Sequence, residues 1–195
     1  MKRSYTQKRR AESRDRTREK IVEAAIELHQ TKGLAATSMR DIAECAEVGT
    51  VTVYRHFPDE AALVGACSSQ YFARHPFPDP EAWRAIADPA GRLRRGLRDT
   101  YAYHRETEAM IARVLPEARD HPVMAPYHAH WRRAADVLAS AWPAPLRRTP
   151  LLKAALALAL SFDTWRLLVR ERRLGDARAI DLVARLTCDC RPKAD

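Results

Sequence analysis

The sequence predicts an all-α protein of about nine helices: an N-terminal three-helix domain containing a helix-turn-helix, followed by a C-terminal helical domain. Three observations predict this. Apolar residues recur three and four apart, with almost none of the strict alternation that marks a strand. Twelve Pro and six Gly punctuate segments of helical length, and proline interrupts a helix by removing a donor and clashing with the preceding turn. Two short apolar-periodic segments flank a tight turn near residues 46–49, the pattern of a helix-turn-helix.

The composition agrees. A chain of 195 residues, 46% hydrophobic and 30% charged, is long enough to bury a core and too mixed for a fibre or a disordered tail. The longest apolar run, Ala154 to Leu160, has seven residues, against the roughly 20 needed to span a bilayer. The basic N-terminus has no apolar stretch behind it, unlike a secretory signal. Cys45, Cys67, Cys188 and Cys190 form no Cys-x-x-Cys pair, which suits reduced thiols. The expectation is a cytoplasmic protein without a membrane partner.

In order along the chain, residues 1–16 carry seven basic and two acidic residues with little apolar content, and read as a flexible basic arm. From Thr17 to Thr31, Ile21, Val22, Ala24, Ala25 and Leu28 form a helical apolar face that Gly33 is placed to end. Ser38-Met-Arg-Asp41 is a capping-box-like start for a second helix reaching about Cys45. Thr50 to Phe57 is a third, with Val53 and Phe57 four apart. Asp59 can cap a fourth carrying Leu63, Val64, Cys67, Tyr71 and Phe72. The domain expected from these elements is 17–64, and the remainder, 65–195, forms the second. His75 to Pro80 alternates proline and reads as a stiff connector. Prolines 89, 116, 122, 126, 143, 145 and 150 then fence off four or five helices. The last two, about 151–173 and 177–190, are apolar enough to serve either as a subunit interface or as ordinary core.

Thr17-Arg-Glu-Lys-Ile-Val-Glu-Ala-Ala through Gly33, Ser38-Met-Arg-Asp-Ile-Ala, and Val48-Gly-Thr-Val-Thr-Val-Tyr-Arg-His-Phe-Pro-Asp-Glu-Ala-Ala-Leu63 together resemble the TetR family of bacterial transcriptional regulators. The likeness covers about 47 residues densely. It implies a DNA-reading head with Thr52, Tyr54 and His56 on phosphates. Thr50, Val51 and Arg55 stand nearer base edges or backbone, and Ser38, Met39 and Arg40 stand at the start of the second helix. Arg40 has the fork to read a guanine. The physics is compatible: Thr52, Arg55 and His56 share one helical face, and short polar side chains suit phosphate and groove contacts. Packing of Tyr54 and His56 against the first helix is the competing reading. Three positions depart from the family pattern: Glu47 where a turn Gly is usual, Val51 where a small residue is common, and Glu60 where many members place a phosphate-holding Lys.

The family likeness implies a homodimeric repressor on a palindromic double-stranded DNA operator, released by a small hydrophobic or amphipathic effector. Candidate pocket residues are aromatic and polar groups set among apolar helices: Trp83, Tyr101, His104, Met110, Tyr127, Trp131, Phe162 and Trp165. Each is equally intelligible as core. No cofactor or metal is expected. Phosphate-loop, dinucleotide, nucleophile-elbow and His-Glu-x-x-His motifs are missing, so an enzyme is not expected. His128 and His130 would point about 200° apart on a helix, so with His121 they do not make a zinc site. The alternative reading is a helical small-molecule-binding or scaffold protein whose head, burdened by Glu47, Val51 and Glu60, no longer binds DNA.

The net charge of +9 is unevenly spread. Residues 1–18 contribute +6, residues 19–64 contribute −4 and residues 65–195 contribute +7. The reading head proper is acidic, so any electrostatic attraction to DNA must come largely from the N-terminal segment.

Overall fold

The computed structural model describes residues 2–189, with side chains from residue 7 onward. Cys190, and with it the Cys188/Cys190 pair, lies outside the described residues. The described residues contain helices and no strand. The α-helices are α1 (Lys2–Thr31), α2 (Met39–Cys45), α3 (Thr50–His56), α4 (Glu60–Arg74), α5 (Pro89–Ala118), α6 (Ala125–Ala139), α7 (Ala144–Arg147), α8 (Pro150–Leu160), α9 (Phe162–Arg166) and α10 (Asp176–Cys188). None of these is long and apolar enough to cross a membrane. The chain divides into two compact units, residues 1–76 with 109–124, and residues 77–108 with 125–195.

The first unit is built on α1, whose Ile21, Val22 and Ala25 are fully buried and which packs against α2 and α4. Gly33 ends it in the left-handed region at φ 93°, with its N–H returned to the carbonyl of His29. A Cβ there would also press on the Glu117 carboxylate, 2.5 Å away. That carboxylate accepts from the N–H of Ala35 at 2.9 Å, so the end of α5 holds the loop between α1 and α2. Ser38 caps α2 in a full capping box with Asp41, and Asp59 caps α4 by accepting from Ala62 N–H. These are the caps the spacing predicts.

The arm departs from expectation. Residues 2–16 continue α1 as helix rather than forming a flexible leader. Its residues are mostly good helix formers with no Pro or Gly, and extending a helix from an anchored segment avoids the cost of nucleation.

In the second unit, α5 packs closely on Trp83, which lies in a short 3₁₀ segment at Pro80–Ala85. A Cβ at Gly96 would come within 3.3 Å of the Trp83 ring and 2.9 Å of Leu138, so glycine is what lets the helix approach. Trp83 is fully buried and its indole N–H donates to Asp99 at 2.8 Å. Arg105 pairs with Asp176, Arg94 with Asp181, and Arg170 with Glu108. These exposed ion pairs set register more than stability, at under about 1 kcal/mol each.

Two details of the helices correct the sequence reading. Pro116 does not end a helix but lies inside α5. It falls in the last turn, where only one N–H is given up. The expected helix 151–173 is broken at Ser161, which is extended (φ −69°, ψ 136°) and caps α9 by accepting from Asp163 N–H. The apolar pattern runs through this break, so periodicity alone cannot reveal it. The stop before α10 is Arg173, at φ 56°, while Gly175 has an ordinary negative φ and serves as the N-cap.

Candidate nucleic-acid interface and buried polar cluster

The helix-turn-helix is α2, the turn at 46–49 and α3. The turn is closed by N–H groups of Ala46, Glu47 and Val48 bonding back to carbonyls of Ile42, Glu44 and Ala43. Glu47 sits in the left-handed region at φ 55°, a conformation that costs a side-chain-bearing residue about 1–2 kcal/mol. The sequence left open whether this residue would pay that penalty, and it does. Glu47→Gly is expected to raise the stability of the protein by about 0.5–1 kcal/mol, the gain being trimmed by the larger unfolded-state entropy of Gly. Urea denaturation checks this, and an unchanged midpoint would show that the turn carries no strain.

α3 is rooted by Val53 and Phe57, which are 0% and 2% exposed. Its outer face then carries Thr50, Val51, Tyr54 and Arg55 into solvent, with Val51 82% and Tyr54 50% exposed. A valine so exposed is free to make apolar contact, and contact of that kind with a thymine methyl is a recognised mode of base reading. Thr52 and His56 are half-buried on the adjoining face. Burial, then the neighbouring Arg55, Arg14 and Arg18 guanidiniums, push the His56 imidazole below its ordinary range. At neutral pH it is uncharged and keeps one ring N–H to donate.

Two of the three residues named at the start of α2 are otherwise engaged. The Ser38 hydroxyl donates to Asp41 at 2.5 Å and accepts from Asp41 N–H, which holds the Asp41 carboxyl below its usual range. Met39 is buried, because the first turn of α2 faces the core on that side. Arg40 is exposed and pairs with Glu44 at 2.9 Å, a surface ion pair weak enough to be exchanged for a base.

Sequence reasoning missed Arg14 and Arg18. Both lie close enough to His56 to shift it, and the Arg18 guanidinium sits 4.9 Å over the Phe57 ring. The signal is in the spacing: Arg10, Arg14 and Arg18 stand four apart, one stripe of a helix, and reading residues 1–16 as a flexible arm separates the first two from the third. Glu60 is in the first turn of α4, where its charge favours the helix and opposes a phosphate.

In the second unit the pocket candidates converge around His104, which is fully buried. Its ring lies 5.1 Å from Trp131, 5.5 Å from Phe162, 6.0 Å from Trp165 and 6.4 Å from Tyr101. Tyr127 contacts Trp131 at 5.9 Å, and Phe77, absent from the candidates, stacks on His130 at 4.4 Å. His104 Nε2 faces the Leu160 carbonyl at 3.0 Å. A carbonyl only accepts, so Nε2 carries the proton and Nδ1 presents a lone pair. Burial pushes His104 and His130 down to about 4, so both are neutral. The Tyr101 hydroxyl, His104 Nδ1 and the indole N–H groups of Trp131 and Trp165 are buried with no hydrogen-bond partner among the described residues. Trp83 is turned instead to Asp99. Met110 belongs to the other unit, where it lines a cavity of about 30 Å³ with His29, Cys67 and Met124; residues 109–124 of α5 and its sequel pack there.

Comparison with known proteins places this geometry. Residues 21–67 match the family model described as bacterial regulatory proteins, tetR family. An uncharacterized HTH-type transcriptional regulator of Bacillus subtilis (strain 168), YvkB, is 40% identical over 55 residues, 28% of this chain and 29% of that protein. A TetR-like transcriptional regulator from Rhodococcus sp. RHA1 superposes with a TM-score of 0.59 at 18% identity, over 88% of this chain and 93% of that one. The multidrug binding protein EbrR complexed with ethidium superposes with a TM-score of 0.51 at 26% identity, over 87% and 97%. The capped α2 and the rooted α3 both fall within residues 21–67, the stretch that resembles the bacterial regulatory proteins of the tetR family.

Proposed function

We propose that the protein is a transcriptional repressor that reads a near-palindromic DNA operator as a homodimer and is released from it by a small hydrophobic or amphipathic ligand. The observation that carries the DNA reading is α3 itself. It is pinned by Val53 and Phe57 while Val51, Tyr54 and Arg55 stand outward, beside a basic stripe on α1. The homodimer is supported by Leu151 and Leu158 on α8 and Leu182 and Leu186 on α10, which are 52%, 63%, 39% and 60% exposed. The two helices pack together, so these side chains extend an apolar face that a second copy can cover. Ligand release is supported by the buried polar cluster and by the ethidium complex of EbrR. The ligand acts by binding best to a conformation in which the two heads no longer match the half-site spacing.

Selection of random-sequence DNA by the purified protein tests this reading. Enrichment of a palindrome with half-sites one helical turn apart, or a multiple of it, is expected. Failure to enrich any palindrome at low salt would overturn the reading and favour a head that no longer binds DNA. On the selected site, Tyr54→Ala should weaken binding to all sequences alike. Arg40→Ala should relax one base position, at a cost of about 1–3 kcal/mol. Equal losses for Arg40→Ala on specific and random DNA would make Arg40 a phosphate contact instead.

A further inference from the structure

Four soft donors from four separate elements of the first unit line one small cavity. His29 near the end of α1, Cys67 in α4, Met110 in α5 and Met124 at the end of the short 3₁₀ segment Pro122–Met124 all face it, and each is at most 7% exposed. Their positions are scattered along the chain, so no local spacing points to them. The cavity holds about 30 Å³, room for one or two waters. That is enough for a bare ion and too little for an organic ligand.

Two of the donors already have the separation that an ion requires. Cys67 Sγ lies 3.6 Å from His29 Nδ1. With zinc's bond lengths as a guide, an ion about 2.3 Å from the sulfur and about 2.0–2.1 Å from the nitrogen would subtend the pair at about 110°, close to the tetrahedral angle. Burial pushes the His29 imidazole below its ordinary range, so it is neutral and keeps a lone pair to offer. Burial, then the Glu23 carboxylate, push the Cys67 thiol up to about 12, so an ion must displace its proton. The methionine sulfurs sit on unbranched stems with three rotatable bonds, and can swing to an ion in a cavity this small.

The donor set decides which ion is held. Among the described residues no group of three or more His, Cys, Asp or Glu is placed to hold a metal. Zinc takes its ligands from those types and would find only two of them on this wall. Thiolate with thioether suits Cu(I). Two carboxylates act on the pair from outside the cavity, Glu117 on His29 and Glu23 on Cys67. Glu23 is held by Arg74 and Gln70, and Glu117 accepts from the Ala35 N–H. Their charge favours any cation, so the softness of the donors makes the choice.

We infer that His29, Cys67, Met110 and Met124 form a binding site for one soft monovalent cation, Cu(I), with Ag(I) as its redox-inert surrogate. On binding, the Sγ–H bond of Cys67 breaks, Sγ and His29 Nδ1 each bond to the ion, and the two thioethers complete the set. The proton passes to solvent, so one positive charge enters as one leaves and no oxidation state changes. The ion then crosslinks α1, α4 and α5 within the first unit. The site stands apart from the DNA reading and from ligand release.

Replacing Cys45, Cys188 and Cys190 by Ser leaves Cys67 as the single thiol of the full-length chain, and this protein is the one to titrate. Anaerobic titration with Cu(I) against a competing chromophoric chelator should show one ion per chain, with X-ray absorption reporting sulfur and nitrogen neighbours. Cu(I) and Ag(I) should each raise the thermal midpoint by mass action, and Zn(II) at the same concentration should leave it unchanged. Cys67→Ala should abolish binding and the midpoint shift together. Met110→Leu and Met124→Leu conserve volume and so keep the fold. Each should weaken Cu(I) binding about 10- to 100-fold, the loss that removing even an outer partner of a metal ligand produces. Absence of Cu(I) binding, Zn(II) bound as tightly as Cu(I), binding that survives Cys67→Ala, or an unchanged affinity in either methionine variant would each overturn the inference.

Discussion

A chain carrying Leu158→Asp and Leu186→Asp is expected to sediment as a monomer and to lose about 100-fold or more of its affinity for a palindromic operator, with its helical content unchanged. Both side chains are more than half exposed, so the fold of one chain loses little when they become charged. An interface made from them loses a great deal, because each protomer would have to bury a carboxylate against the apolar face of its partner. The DNA consequence follows from avidity. Two heads joined in one dimer bind the second half-site at a millimolar effective concentration, worth 10²–10⁴ in affinity, and a monomer forfeits that factor. Analytical ultracentrifugation read beside a mobility-shift titration checks both parts. A variant that remains dimeric would place the interface elsewhere, and a monomer with undiminished operator affinity would show that the heads act singly.

The second large effect is expected from deleting residues 2–16. These carry seven basic and two acidic residues, on a helix whose Arg14 is near His56. The remaining head is acidic, and Glu60 adds a negative charge at the start of α4. Loss of three phosphate contacts would weaken binding about 100-fold at physiological salt, and the slope of log affinity against log salt would fall by about one unit per contact. The deletion also removes Arg14, one of the three guanidiniums that lower His56, along with the smaller opposing effect of Asp15. Its imidazole should therefore titrate higher in the truncated protein, as NMR would show. An unchanged salt slope with an unchanged His56 would mean that this end of α1 stays clear of the DNA.

The helical nature of residues 2–16 shows where sequence reasoning fell short. It judged the segment by its lack of an apolar face, whereas backbone propensity carried α1 onward from a core already anchored at Ile21. Once the segment is a helix, Arg10, Arg14 and Arg18 form a stripe that a coil would scatter. The Ser161 break was hidden for the opposite reason. Apolar periodicity continues from α8 into α9, and only the extended backbone of Ser161 with its cap to Asp163 reveals the interruption.

By itself the sequence determined the reading head: the Gly33 stop, the Ser38–Asp41 capping box, the Asp59 cap and the rooting of α3 by Val53 and Phe57. Each is a contact or a periodicity within one or two helical turns, set by residues a few positions apart and so written in local spacing. Tertiary structure alone decided that Met110 leaves the aromatic candidates for the first unit and that Glu117 reaches the Ala35 N–H across 82 positions. It also decided that Tyr101, His104, Trp131 and Trp165 each bury one polar atom that has no hydrogen-bond partner among the described residues. Burial and hydrogen-bond satisfaction depend on which distant helices meet, and no spacing within a single helix encodes that.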